Sequence, residues 1–343
     1  MENRKHYTFI DIMKVWACVG VFIYHCILGS YRYNDLYIWK VNKTILSTLI
    51  SFLHYFHVPT FFFCSGFLFA ISCKKIDTVK KYFLFVLKRL YKLGIPFIVF
   101  SVFYCVFNGL FSSYGNYKVY RMNTIGDIFI HPVAQYWYLL TLFEILIIAP
   151  IIICLFKQKN SHIVLGIIFI IYIILALQGI EATFLKYLFL FFGGVYFNNH
   201  DEWCKRWIIP GLVLVIMVGM IYLSNRFLKE DFVAKCCIEL LFSIVIVSSF
   251  YFLMKYFVVE KNITFGKSLI KYTLHIYLLH TWVIGVAKIL LTSFNLCCEL
   301  QIILVSVMGF GVTYVLSIFI KKIKIFNFWF EPTMPIKERA SSN

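Results

Sequence analysis

Long apolar runs separated by short polar connections dominate this chain. Runs near 8–29, 46–72, 84–111, 135–156, 162–179, 182–198, 207–224, 235–257, 267–291 and 299–320 approach or exceed the roughly 20 residues that an α-helix needs to cross a bilayer. The pattern predicts an all-α, polytopic integral membrane protein of about ten transmembrane helices. One transmembrane domain covers 1–320, and a basic, proline-containing tail over 321–343 is expected to be poorly ordered. Neither an internal repeat nor a soluble domain is visible.

The first run, Thr8 to Leu28, is the least uniform, because it carries Asp11, Lys14 and His25. Ionisable side chains within a span are costly, so they face a bundle interior, a partner or water. At about 100° per residue, Lys14 and His25 fall within roughly 20° of each other and Asp11 within about 60° of both, so the three share one helix face. A rise of ~1.5 Å per residue sets Lys14 and His25 about 16 Å apart along it. The stripe thus joins one membrane surface to a point deep in the hydrocarbon. A plainer reading also holds for two of the three. Asp11 and Lys14 stand in the opening turns, where they can snorkel to the headgroups and pair at i,i+3. His25, set among Ile23, Tyr24, Ile27 and Leu28, is harder to explain that way.

Composition agrees with the pattern: 61% of residues are hydrophobic, only 14% are charged, and the mean hydropathy is +0.82. The net charge of +17 is no nucleic-acid signal, because the basic residues gather in alternate short connections. Counted by side they divide about three to one, which places both termini in the cytoplasm. The eleven cysteines lack metal or disulfide spacing and read as small buried apolar residues, so no metal site is expected. The polar stretch Met1 to Tyr7 is short and no small-residue cleavage site closes the first run, so that run is expected to be a retained span.

Polar residues recur in later runs. His54 and His57 share a face just before Pro59, where a bend is expected, and Ser65-Gly66 permits close helix approach. His54 can be part of that bend and nothing more. The Cys73 to Leu93 connection is the most basic stretch. Its latter half reads as an amphipathic interfacial helix, which either rests on anionic lipid headgroups or uses Arg89, Lys88 and Lys92 to hold a phosphate-rich ligand. Asn108 to Pro132 is rich in the aromatic and polar residue types that pack on sugar rings. The fourth run opens on the interfacial aromatic Trp137 and is expected to bury Glu144, protonated, paired or lining a cavity. Lys186 and Glu239 interrupt otherwise apolar runs, and Gly193-Gly194 marks a packing spot. In the ninth run Tyr277 and His280 share a face at i,i+3.

Five short motifs in order resemble those of the membrane-integral acyltransferase type 3 family, which includes bacterial surface-polysaccharide O-acetyltransferases. Ile10-Asp11-Ile12-Met13-Lys14 with Tyr24-His25 is similar to the family's first helix, where a basic residue precedes a catalytic histidine by eleven positions. His57-Val58-Pro59 through Ser65-Gly66-Phe67-Leu68 resembles its second-helix signature, and Leu87-Lys88-Arg89 through Ile95-Pro96 its basic approach to the third. Trp137-Tyr138-Leu139 and Ile276-Tyr277-Leu278-Leu279-His280 match two later signatures. This chain departs from the family in having Lys14 where arginine is usual, and in lacking an Arg-x-x-x-Arg motif between Gly66 and Lys81.

The resemblance implies an O-acyltransferase that moves an acyl group, acetyl above all, from cytoplasmic acyl-CoA to a hydroxyl of a surface polysaccharide or lipid-linked oligosaccharide. It implies catalysis by His25 with Asp11 and Lys14, and substrate contacts from His57, Arg89, Trp137, Glu144, Tyr277 and His280. Acetyl-CoA is then a co-substrate, no cofactor is permanently bound, and the partners are acyl-CoA, the glycan and membrane lipids. On the residues alone, a transporter or flippase of a glycan intermediate and a non-catalytic membrane sensor also fit.

Overall fold

The computed structural model describes residues 7–33, 43–110, 126–200, 232–292, 294 and 296–333. Every regular element among them is helical, and eight stretches are long and apolar enough to span a membrane. The sixth apolar run forms a 17-residue helix, Thr183–Asn199. The seventh, 207–224, and most of the Asn108 to Pro132 connection lie outside the described residues. In chain order the described helices are α1 (Thr8–Tyr33), α2 (Lys43–Cys73), α3 (Val79–Arg89), α4 (Ile95–Leu110), α5 (Asp127–Ile130) and α6 (Trp137–Phe156). There follow α7 (Ser161–Leu177), α8 (Thr183–Asn199), α9 (Phe232–Lys255), α10 (Thr273–Thr292), α11 (Cys298–Lys322) and α12 (Lys324–Phe330). Outward positions stay apolar, as with Ile163, Ile167, Ile170 and Ile174 on α7, which suits a surface solvated by lipid and makes this a multi-pass membrane protein.

Two compact units divide the chain, one of Met1–Lys74 with Ile151–Tyr314, the other of Lys75–Pro150 with Val315–Asn343. In the first, α2 is the central helix. Pro59 has no N–H to give the helix ladder, yet α2 continues through it, and the Thr60 hydroxyl donates to Phe56 O at 2.6 Å. Glycines let α2 meet α8 backbone to backbone: a Cβ on Gly66 would collide with Phe191 O, and one on Gly194 with Phe63 O. Around that crossing Phe62 stacks on Tyr187 with centroids 4.5 Å apart, and Phe69 lies 5.3 Å from Phe191. Lipid tails give apolar helices no drive to associate, so such close packing is what holds them together. Overpacking costs about 1–3 kcal/mol, and Gly66→Ala should lower the thermal unfolding midpoint of the detergent-solubilised protein. Gly193→Ala, whose Cβ would meet only Phe63 Cδ2 at 3.9 Å, should not. Equal midpoints for the two variants would show that the backbones do not approach so closely.

The second unit contains the most basic stretch. Thr78 caps α3 by accepting from Lys81 N at 3.3 Å, and Lys81 Nζ donates to Asp77 at 2.7 Å, which holds that exposed carboxyl below its usual range. No break separates the amphipathic segment from the third span. They join through a π turn, Leu90–Gly94, in which Ile95 N–H reaches back five residues to Leu90 O. Pro96 follows directly and cannot donate to the ladder, which accounts for the local widening. Tyr82 on α3 donates to Ile147 O on α6 at 3.2 Å. The tail differs from expectation over its first residues. Here α12 buries Phe330 against Phe100, centroids 4.7 Å apart, and Lys321 pairs with Glu331 at 2.8 Å. Its aromatic residues supply an apolar face that its basic composition obscured.

Candidate active site

Histidines from three helices converge inside the first unit. α1 contributes His25 and its neighbour Tyr24, α2 contributes His54 and His57, and α10 contributes Tyr277 and His280. The His25 and His280 rings are 5.0 Å apart, and Tyr24 lies 4.9 Å from His57 and 6.2 Å from His54. Tyr277 lies 5.8 Å from His280 and 6.2 Å from Phe61. Gly20 makes room on α1 for the Phe56 ring of α2, so the two helices can bring these rings together. On the other side α1 meets α10 where Cys18 Sγ lies 3.5 Å from Thr273 O. His57 and His280 are buried, while His25 and Tyr24 are half-buried.

The hydrogen bonds of His280 fix its chemistry. Its Nδ1 is 2.6 Å from Tyr277 O, and a carbonyl can only accept, so Nδ1 carries the hydrogen. Nε2 is then the lone-pair nitrogen, and it has no hydrogen-bond partner among the described residues. Lys288, two turns further along α10, is buried and donates from Nζ to the backbone carbonyl of His25 at 3.2 Å. An ammonium enclosed in a membrane helix is costly unless it has such a partner. This one ties the position of His25 to α10.

Of the residues singled out from sequence, the fold therefore gathers His25, His57, Tyr277 and His280. Asp11 and Lys14 form an ion pair, Lys14 Nζ to Asp11 Oδ1 at 3.4 Å, each about a quarter exposed. This is the i,i+3 pairing of the plainer reading, and it lies along α1 from His25 by about 16 Å of helix rise. Arg89, Trp137 and Glu144 belong to the second unit. The Arg89 guanidinium sits over the Phe85 ring at 4.9 Å. Trp137 is half-buried at the start of α6, beside the fully buried Tyr136. Glu144 is a correction: it is exposed rather than buried. The buried stripe of α6 runs through Tyr138, Leu142, Ile145 and Ala149, and Glu144 falls two residues, about 200°, beyond Leu142.

Sequence reasoning gave no role to Tyr24 or Lys288. A charge inside the run Val286-Ala287-Lys288-Ile289-Leu290 was the available signal for the second. It also left Lys186 and Glu239 unpaired, and the structure joins them: Nζ to Oε2 is 3.1 Å, between α8 and α9, with side-chain exposures of 7% and 16%. Their charges reach His54. Among the described residues no group of three His, Cys, Asp or Glu side chains is placed to hold a metal ion. A family model described as an acyltransferase domain matches residues 7–322, nearly the whole chain. No curated protein and no solved structure matches it.

Proposed function

Because the chain belongs to this acyltransferase family, we propose that it transfers acetyl groups from cytoplasmic acetyl-CoA to a hydroxyl of a surface polysaccharide or its lipid-linked precursor. The observation that carries the reading is the gathering of His25, Tyr24, His57 and His280 inside an otherwise apolar helix bundle. Polar rings at that depth are expensive to keep, and imidazole is the side chain suited to moving protons near neutral pH.

The chemistry is an ester exchange. His25 accepts the proton of the acceptor hydroxyl as its oxygen attacks the thioester carbonyl. The tetrahedral intermediate then collapses, the C–S bond breaks, and the imidazolium returns the proton to the departing CoA thiolate. Reactants and products balance as hydroxyl plus acetyl thioester giving acetate ester plus thiol. Tyr277 and His57 line the acceptor side, and Lys288 holds His25 in place through its backbone carbonyl. Asp11 and Lys14 orient the cytoplasmic end of α1. Arg89, with Lys88 and Lys92, binds the CoA phosphates, while Trp137 and Glu144 contact substrate on the second unit. The crowding of basic residues into alternate connections supports a cytoplasmic donor side and cytoplasmic termini.

Mass spectrometry of the surface glycan tests the reading. Cells lacking the protein should keep the glycan and lose acetyl-sized increments, whereas loss of the whole glycan would mean export instead. Labelled acetyl-CoA, which does not cross membranes, should acetylate only with inside-out vesicles, and Arg89→Ala should raise its half-saturating concentration. Labelling from right-side-out vesicles would reverse the orientation, and an unchanged donor requirement in Arg89→Ala would leave that segment to lipid anchoring.

A further inference from the structure

We propose that His280 Nε2 docks a second hydroxyl of the acceptor, so that the substrate presents a vicinal diol: His25 activates one hydroxyl and His280 holds its neighbour. This rests on the reading of His25 as the base.

The argument begins with an unmet requirement. His280 is 1% exposed, its Nδ1–H is committed to Tyr277 O, and its Nε2 lone pair has no donor among the described residues. A buried acceptor without a partner is destabilising, and native structures rarely carry one without a reason. The missing group must donate a hydrogen, which an acceptor hydroxyl does. It must also fit beside Phe22 and Tyr277, whose rings lie 6.3 and 5.8 Å from the imidazole. The nearest of these ring neighbours is His25, at 5.0 Å. Ring centroids 5.0 Å apart are a separation that two adjacent hydroxyls of one sugar ring can bridge. With the neighbouring hydroxyl anchored on Nε2, the reacting one is held in register with His25, and positioning of this kind removes part of the entropic barrier to attack. A lone hydroxyl would leave Nε2 empty and be bound more weakly, which makes His280 a determinant of acceptor choice.

The test uses membranes carrying the full chain, labelled acetyl-CoA, and surface polysaccharide from the producing cells stripped of esters with mild alkali. A second batch of that polysaccharide is oxidised with periodate and reduced with borohydride, which cleaves vicinal diols and spares isolated hydroxyls. Wild-type protein should label the first batch and at least about tenfold less of the second. His280→Phe should raise the half-saturating acceptor concentration about tenfold, the worth of one hydrogen bond to substrate, and leave that for acetyl-CoA unchanged. His280→Gln, whose amide oxygen can accept in place of Nε2, should recover most of the loss. Equal labelling of the two batches overturns the diol, and wild-type kinetics in His280→Phe overturn the role of His280. A shift in the acetyl-CoA requirement alone means that a pantetheine amide occupies Nε2, which also overturns the proposal. So does a His280→Gln protein that is present in the membrane yet as impaired as His280→Phe, since His280 would then be moving a proton. Failure of wild-type protein to label even the untreated batch sinks the acyl transfer reading itself, and this proposal with it. The periodate arm needs no variant and stands if His280→Phe fails to fold.

Discussion

His25→Ala is expected to lower acyl transfer roughly 10²- to 10⁴-fold, the usual worth of a positioned general base. His25 combines an imidazole, a half-buried position and a backbone carbonyl held from another helix. Membrane insertion and acetyl-CoA binding should be nearly unaffected, because the proposed phosphate-binding residues lie on the second unit. The telling comparison is Cys26→Ala. Cys26 is one residue on and about 100° round the helix, and its side chain packs with Phe22, Ile284 and Val305 in an apolar cluster. That variant should acetylate at close to the wild-type rate. Two variants equally active, both present normally in the membrane, would remove His25 from the chemistry.

Lys186→Met should be the most destabilising single change, by about 3–5 kcal/mol, because it strands the Glu239 carboxylate in the interior without its partner. The pair is enclosed, at 3.1 Å, between α8 and α9. Enclosure is what separates it from the exposed Asp77–Lys81 pair, which contributes little. Replacing both partners, Lys186→Met with Glu239→Leu, should restore most of the stability, since two well-packed apolar side chains carry no desolvation penalty. Thermal unfolding of the solubilised protein, followed by loss of the monodisperse species, measures all three. A single variant as stable as wild type would mean that the pair is solvated or not formed. Activity in the double variant then reports separately whether these charges near His54 matter to catalysis.

Much of this was legible from the chain alone, for identifiable reasons. Spans of about twenty apolar residues have one solution in a bilayer, so the described helices appear where the runs are. His25 stood out because a polar ring within an apolar run must have somewhere to point. The partnership of Asp11 with Lys14 follows from i,i+3 spacing, which is local. Glu144 was misplaced because α6 is apolar on every side, so its sequence carries no periodicity to say which face turns inward. Lys288 and Tyr24 went unassigned because their meaning lies in contacts between helices far apart in the chain, Lys288 reaching His25 across 263 positions. The tautomer of His280 was equally out of reach, since it depends on where one carbonyl points.

The glycine crossing of α2 and α8 also bears on how the protein is made. Chains enter the membrane from the amino terminus as they are synthesised, so α1 and α2, bearing His25, His54 and His57, are inserted well before α8 exists. Until Gly194 can seat against Phe63, and Gly66 against Phe191, α2 lacks its closest neighbour while its imidazoles already stand at membrane depth. The candidate site is thus begun early and closed late, with His280 arriving last of its rings. A ribosome halted before Thr183 would leave behind α2 without the helix it is built against, a natural target for the quality control of the membrane.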